Sequence, residues 1–258
     1  MKITILTLFP EMFEGFKTSS IIKRAIGKGV VDIEVVNIRD YTKDKYNRTD
    51  TPPIGGGAGL IEKAQPIVDA IKATRSENCR TFLMSPRGTT YGQGKAKELA
   101  TLEHIILVCG HYEGVDERIA PYIDEHISIG DYILTGGEIP AMAISDSVIR
   151  LLDGAITKES LNDESFNDNT LEYPQYTEPY EFEGQKVPAI LYCGNHQAVE
   201  KWRRRESLLL TRKHRPDLFA KLILSKQDKK LLDDYDAGIT PKWETEALEK
   251  GARFLKDK

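Results

Sequence analysis

Five short runs of the chain, at 2–9, 32–37, 80–85, 104–109 and 126–129, are rich in Ile, Val and Leu, and each is bounded by Gly, Pro or Asp. Runs of this length and content read as strands. Helical patterns lie between several of them. The run at 21–26 follows the cap candidates Ser19 and Ser20 and stops near Gly27 and Gly29. Strands alternating with helices imply a mainly parallel sheet covered by helices, so the expected class is α/β. Residues 140–152 read as one more helix. Ala141, Ile144, Val148, Leu151 and Leu152 follow helical spacing, which puts one face in the core.

From Asp153 the pattern breaks. The stretch to Lys186 is acidic and carries Asn162, Asn167, Asn169, Pro174 and Pro179. It reads as a linker, and structureless loops that long are functional or disordered. After Gly194 the pattern is helical to the end, at about 196–210, 216–224, 226–235 and 241–256. The expected organisation is an α/β domain over 1–160, an interdomain linker over 161–186 and a helical domain over 187–258.

Hydrophobic residues make up 40% and charged residues 29%, enough apolar material for a core in a soluble chain. The net charge of −4 argues against a general nucleic-acid binder. Between 194 and 224, however, Lys201, Arg203, Arg204, Arg205, Arg212, Lys213, Arg215 and Lys221 face only Glu200, Glu206 and Asp217. That excess fits a phosphate-binding surface and fits a solvated helix face equally well. No apolar run approaches the roughly 18 residues of a membrane span. The first residues read as a strand and not as a signal peptide. Cys79, Cys109 and Cys193 form no disulfide framework and no zinc pair, which makes the cytosol the natural compartment.

Four loops follow strand ends, at 54–59, 85–88, 109–114 and 128–138. In open α/β sheets ligands bind beyond the carboxyl ends of the strands. Glycines there let backbone approach a ligand closely, although a glycine loop by itself is ordinarily a turn. Known nucleotide fingerprints fail. There is no G-x-G-x-x-G. Between Gly88 and Gly94-Lys95 stand five residues where a P-loop has four, and Ala96 replaces its Ser/Thr. The five histidines are scattered, so no metal site is expected. His111 reads either as a base or, more commonly beside glycine turns, as a backbone hydrogen-bonding group.

At these loops the chain resembles a known family. Leu8-Phe9-Pro10-Glu11-Met12-Phe13, Gly55-Gly56-Gly57-Ala58-Gly59, the run from Cys109 to Arg118 and the run from Ser128 to Pro140 are similar to the bacterial tRNA (guanine-37-N1) methyltransferases, the TrmD family. Leu171-Glu172-Tyr173-Pro174-Gln175-Tyr176-Thr177, Val187-Pro188-Ala189-Ile190-Leu191, Gly194-Asn195-His196 and Arg215-Pro216-Asp217-Leu218 follow in the same order. The similarity covers about residues 1–220. It implies a SPOUT-type parallel sheet with a deep trefoil knot, a small C-terminal helical domain that helps grip tRNA, and a cytoplasmic homodimer with sites at the subunit interface. It implies S-adenosylmethionine as methyl donor and leaves Mg²⁺ open as a second cofactor.

Carried over by position, the implied cofactor contacts are Met84, Ser85, Pro86, Gly110, Tyr112, Glu113, Ile129, Gly130, Asp131, Tyr132, Ile133, Leu134, Gly136, Gly137 and Pro140. On the substrate side the resemblance implies Asp50, Arg150 and a carboxylate in the linker. These types suit methylation at N1 of guanine. A carboxylate removes the N1 proton, and an arginine stabilises charge growing toward O6. The guanine must leave its stack, while cationic side chains hold phosphates. Arg150 otherwise reads as an i−4 partner of Asp146, and Asp50 as a turn former. The chain departs from the family pattern in places. Glu164 stands where the family base is Asp, and the preceding loop is one residue short, which keeps Asp163 as an alternative. Glu178 replaces an arginine, Ile54 a tyrosine and Thr51 an aspartate. A knotted RNA-binding protein without catalysis is the alternative function, and a P-loop-like ATP binder is a remoter one.

Overall fold

The computed structural model describes residues 1–157, 164–166 and 168–256. It divides into two compact units, Met1–Leu161 and Asn162–Lys258.

The first unit is built on a five-stranded sheet. Its strands are β1 (Lys2–Thr7), β2 (Asp32–Asn37), β5 (Cys79–Thr90), β6 (His104–Val108) and β7 (Glu125–Ser128), in the order β2-β1-β6-β5-β7. Every pairing is parallel. A small antiparallel pair joins β3 (Asp50–Thr51) to β4 (Ile61–Glu62). Parallel strands buried on both faces read as near-continuous apolar runs, as β6 does, whereas the edge strands β2 and β7 carry polar residues among their apolar ones. Side chains alternate between two cores. Ile3, Ile5, Phe82, Ile105, Leu107 and Ile127 point to one face. There they meet α2 (Ser20–Gly27), α4 (Gln93–Leu99) and α5 (Glu138–Ile149) through Ile22, Leu99, Ala141, Ile144 and Val148. Leu6, Leu83, Ile106 and Val108 point to the other face, where α3 (Ala64–Thr74) supplies Ile67, Ala70 and Ile71. A short α1 (Glu14–Thr18) precedes α2.

β5 runs past its expected end. Both Met84 and Thr89 take Ile127 as register partner, so residues 85–88 are looped out and the strand then resumes. The P-loop-like spacing dissolves in this geometry. Gly88 lies in β5, and Lys95 in α4 sits 2.8 Å from Glu98 and 3.0 Å from Glu125.

The second unit holds the hairpin β8 (Glu181–Phe182) to β9 (Gln185–Lys186) and the helices α6 (His196–His214), α7 (Pro216–Phe219), α8 (Lys226–Asp236) and α9 (Lys242–Lys256). Ile190, Cys193, Ala198, Trp202 and Ala247 form its core. The later part of the segment expected as a linker folds against α6. Leu171 N–H donates to Thr211 Oγ1 at 2.8 Å, and Ser207 Oγ donates to Leu171 O at 2.6 Å.

The basic run is largely spent inside this unit. Arg204 pairs with Asp228 at 2.8 Å and Asp168 at 2.6 Å, and Arg205 with Glu244 at 2.6 Å. Arg212 pairs with Asp236 at 2.8 Å and Arg215 with Asp217 at 2.7 Å. Lys201 lies over the Trp243 ring and Arg203 over Tyr173. Much of the positive charge thus joins helices and turns of this unit to one another.

Candidate active site

Three loops, one interrupting β5 and two at the carboxyl ends of β6 and β7, enclose a cavity of about 430 Å³, within the range of small-molecule sites. They are the excursion at 85–88, the turn at 109–114 and the segment at 129–137 that leads into α5. All the implied cofactor contacts except Asp131 line this one cavity. Asp131 is exposed. Arg87, His111, Thr135 and Ser128 also line it. Arg87 was not among the expected residues; it reaches Glu117 at 2.8 Å.

The loops are fastened to one another by backbone. Gly137 N–H donates to Gly110 O at 2.8 Å, and His111 forms an isolated bridge with Gly136. A Cβ at Gly137 would lie 2.7 Å from Cys109 Cα and 3.0 Å from Met84 Cβ. That approach excludes any side chain, which gives the glycine a packing reason. Tyr112 turns the second loop at φ 57°, and the Gly114 N–H closes it on His111 O at 3.1 Å.

Two carboxyls that the sequence reading passed over stand beside this wall. Glu138 opens α5 and is 2% exposed. Thr7 Oγ1 donates to its Oε1 at 2.8 Å, and its Oε2 lies 3.6 Å from His111 Nδ1. Glu62 is fully buried. Burial pushes its carboxyl up to about 8; the Glu138 and Asp50 charges add to this, and the hydrogen bond from the His111 N–H opposes it. The Cys109 thiol is raised well above its ordinary value, by burial first and then by the Glu138 and Glu62 charges. It is not a nucleophile in this setting. The His111 ring packs at a tilt against Phe9 at 4.7 Å between ring centroids, and the His111 backbone N–H donates to Glu62.

The substrate-side candidates are not gathered in the cavity wall. Asp50 lies in β3, half-buried, in register with Glu62. Arg150 caps α5, half-buried, with its N–H on Asp146 O at 3.1 Å. Glu164 belongs to the second unit and is half-buried. Asp163 lies outside the described residues. The loop at 54–59 does not line the cavity, and Ile54 is 98% exposed. Among the described residues no group of three or more His, Cys, Asp or Glu could hold a metal ion. No helix among them is long and apolar enough to cross a membrane.

Fold and cavity together define an α/β protein with a cavity of small-molecule size at the carboxyl edge of a parallel sheet, the edge where such sheets bind ligands. The family model described as tRNA (Guanine-1)-methyltransferase TrmD matches residues 1–221. A tRNA (guanine-N(1)-)-methyltransferase of Clostridium perfringens (strain SM101 / Type A) is 56% identical over 234 residues, 90% of this chain and 99% of the relative. One from Clostridium botulinum (strain Langeland / NCTC 10281 / Type F) is 52% identical over 238 residues, 92% of this chain and 99% of the relative. The chain belongs to the TrmD family of SPOUT methyltransferases.

Proposed function

We propose that this protein transfers a methyl group from S-adenosylmethionine to N1 of guanosine-37, beside the anticodon of tRNA. The observation that carries the reading is the glycine-stitched cavity, in a chain more than half identical to enzymes named for guanine-N1 methylation. The cavity suits a nucleoside with an amino-acid tail. Its walls are backbone and apolar side chains from Leu83, Met84, Ile129, Leu134 and Pro140. The closeness of Gly137 to Cys109 and Met84 keeps that space open. Met84, Ser85, Pro86, Gly110, Tyr112, Glu113 and the loop at 129–137 would hold the donor, with backbone amides and carbonyls reading its adenine. When bound, the donor supplies an electrophilic methyl group on a sulfonium.

The chain's own side chains manage the proton. Glu164 accepts it from N1, at about 2.6–3.2 Å directly or through one water. Arg150 donates toward O6, where negative charge grows as the proton leaves. Asp50 holds the base in place. The protein works as a cytoplasmic homodimer, and the segment around Glu164 serves the partner's cavity. The helical region from 187 onward grips the tRNA, and the chain through the cavity loops is knotted. The test is incubation with S-adenosylmethionine and a guanosine-37 transcript, followed by nucleoside identification. 1-Methylguanosine should appear, and an adenosine-37 transcript should remain unmodified. RNA binding without product would favour the non-catalytic alternative.

A further inference from the structure

Glu62 ends β4, and its backbone and side chain bond to a single loop. Its Oε1 accepts from His111 N–H at 2.6 Å, its N–H donates to Gly114 O at 3.0 Å, and its carbonyl accepts from Asp116 N–H at 2.9 Å. The neighbouring Leu60 O accepts from Glu113 N–H at 3.0 Å. Gly59, at φ +79°, lies directly against the Glu113 side chain. On its other edge β4 pairs with β3, where Glu62 is in register with Asp50. One residue therefore touches both ends of the turn that walls the cavity and the strand that carries a substrate-side candidate.

We propose that Glu62 is a positioning residue for methyl transfer, fixing the loop at 111–116 against the cofactor cavity and setting that loop in register with Asp50. This rests on the cofactor reading of the cavity. Packing alone does not account for a carboxyl here. Its Oε2 is buried with no hydrogen-bond partner among the described residues. An apolar side chain of similar size would avoid that burden, since an unsatisfied buried polar atom costs stability. The β4 backbone pairing would survive such a change. What an apolar residue cannot supply is an acceptor for the His111 N–H, at the corner where Tyr112 takes positive φ. Without it the corner loses its one side-chain anchor on β4, and the backbone bonds at Gly110, Glu113, Gly114 and Asp116 hold the wall less tightly.

The charged and titratable groups facing Glu62 are Glu138 on α5, Asp50 on β3, Arg39 after β2, and Cys109 and His111 at the start of the loop. An ionised Glu62 would be repelled by Glu138 and Asp50. The neutral carboxyl avoids that repulsion, and its amide analogue should as well.

The test titrates S-adenosylmethionine by calorimetry into wild type, Glu62→Gln and Glu62→Leu, and melts each protein without cofactor. Wild type should bind, and its failure to do so would overturn the cofactor reading itself. Glu62→Gln keeps an acceptor and should bind within about threefold of wild type, whereas Glu62→Leu should bind about tenfold or more weaker. The Leu variant should nevertheless melt at the same temperature or higher, a separation that a purely structural role would not produce. Wild-type affinity in Glu62→Leu, or an equal loss in both variants, would overturn the proposal. Should the Leu variant not fold, the pH profile decides. Wild-type affinity should weaken from about pH 7 to about pH 9 as Glu62 ionises, while Glu62→Gln stays flatter. Parallel profiles would overturn the proposal.

Discussion

The cofactor side and the acceptor side of the proposed site are made differently. The cavity is finished within one unit, largely from backbone, with Gly137 packed on Cys109 and Met84 and hydrogen-bonded to Gly110. The acceptor side consists of single side chains on separate elements. Asp50 is on β3 and Arg150 at the end of α5, while Glu164 belongs to the other unit. The lesson is a division of labour. In the proposed function a donor common to every cycle would meet a wall built within one unit, whereas proton handling would fall to side chains carried on separate elements.

That contrast breaks or sharpens under substitution. The largest effect belongs to Glu164→Gln. Single-turnover methylation should fall about 10²–10⁴-fold while cofactor affinity stays near wild type. Asp163→Asn should do much less, and the reverse ranking would move the base to Asp163. Gly137→Ala should strike the other side. Its Cβ would press on Cys109 and Met84, costing about 1–3 kcal/mol of stability as overpacking does. Cofactor affinity should drop about tenfold or more, and calorimetry on the folded variant would read it. Unchanged affinity would remove that wall from the site.

Mixing an Arg150→Ala chain with a Glu164→Ala chain tests whether sites are shared between subunits. Random pairing makes half the dimers mixed, and one of two sites in each is intact. About a quarter of wild-type activity should return. No recovery with mixed dimers present would place each site within one chain.

A smaller effect concerns pH. The folded Glu62 keeps its proton to about 8, against an ordinary value of 4.5. Its contribution to stability is therefore fully present below 4.5 and lost as pH rises toward 8. Glu62→Gln cannot ionise. Its melting temperature should gain on wild type through that window, by about 2–4 °C for each kcal/mol recovered. A constant gap across the window would mean that Glu62 is not held neutral. The smallest effect is Arg212→Ala, which breaks a partly exposed pair with Asp236. It should cost less than about 1 kcal/mol, and less still in high salt. A larger loss would show that the ion pairs of the helical unit act as a network.

Much of the fold is written in local pattern. The five main strands and the helices at α5, α6, α8 and α9 stand close to where apolar spacing puts them, because buried parallel strands and amphipathic helices carry their own periods. The extension of β5 to Thr90 was not legible, since Ser85-Pro86-Arg87-Gly88 reads as a strand end. Its resumption depends on pairing with Ile127, some forty residues later. Glu62 and Glu138 were illegible for a related reason. A carboxylate after Ile61 or Gly137 reads as surface charge, and only long-range contacts with His111 and Thr7 show its burial. The basic run stayed open between a phosphate surface and a solvated helix face because its partners Asp168, Asp228, Asp236 and Glu244 stand far from it in sequence. The cavity loops were marked by glycine clusters, but their joint use came from family resemblance, not from spacing.

The most direct measurement takes Asp50→Asn, Arg150→Ala and Glu164→Gln together in one chain. Cofactor affinity and 1-methylguanosine formation on a guanosine-37 transcript are read from the same preparation. With a finished donor cavity and a separate acceptor side, the affinity should stay within about twofold of wild type, and no 1-methylguanosine should form. A cofactor affinity weakened about tenfold or more, or product formed at near-normal rate, would contradict that division.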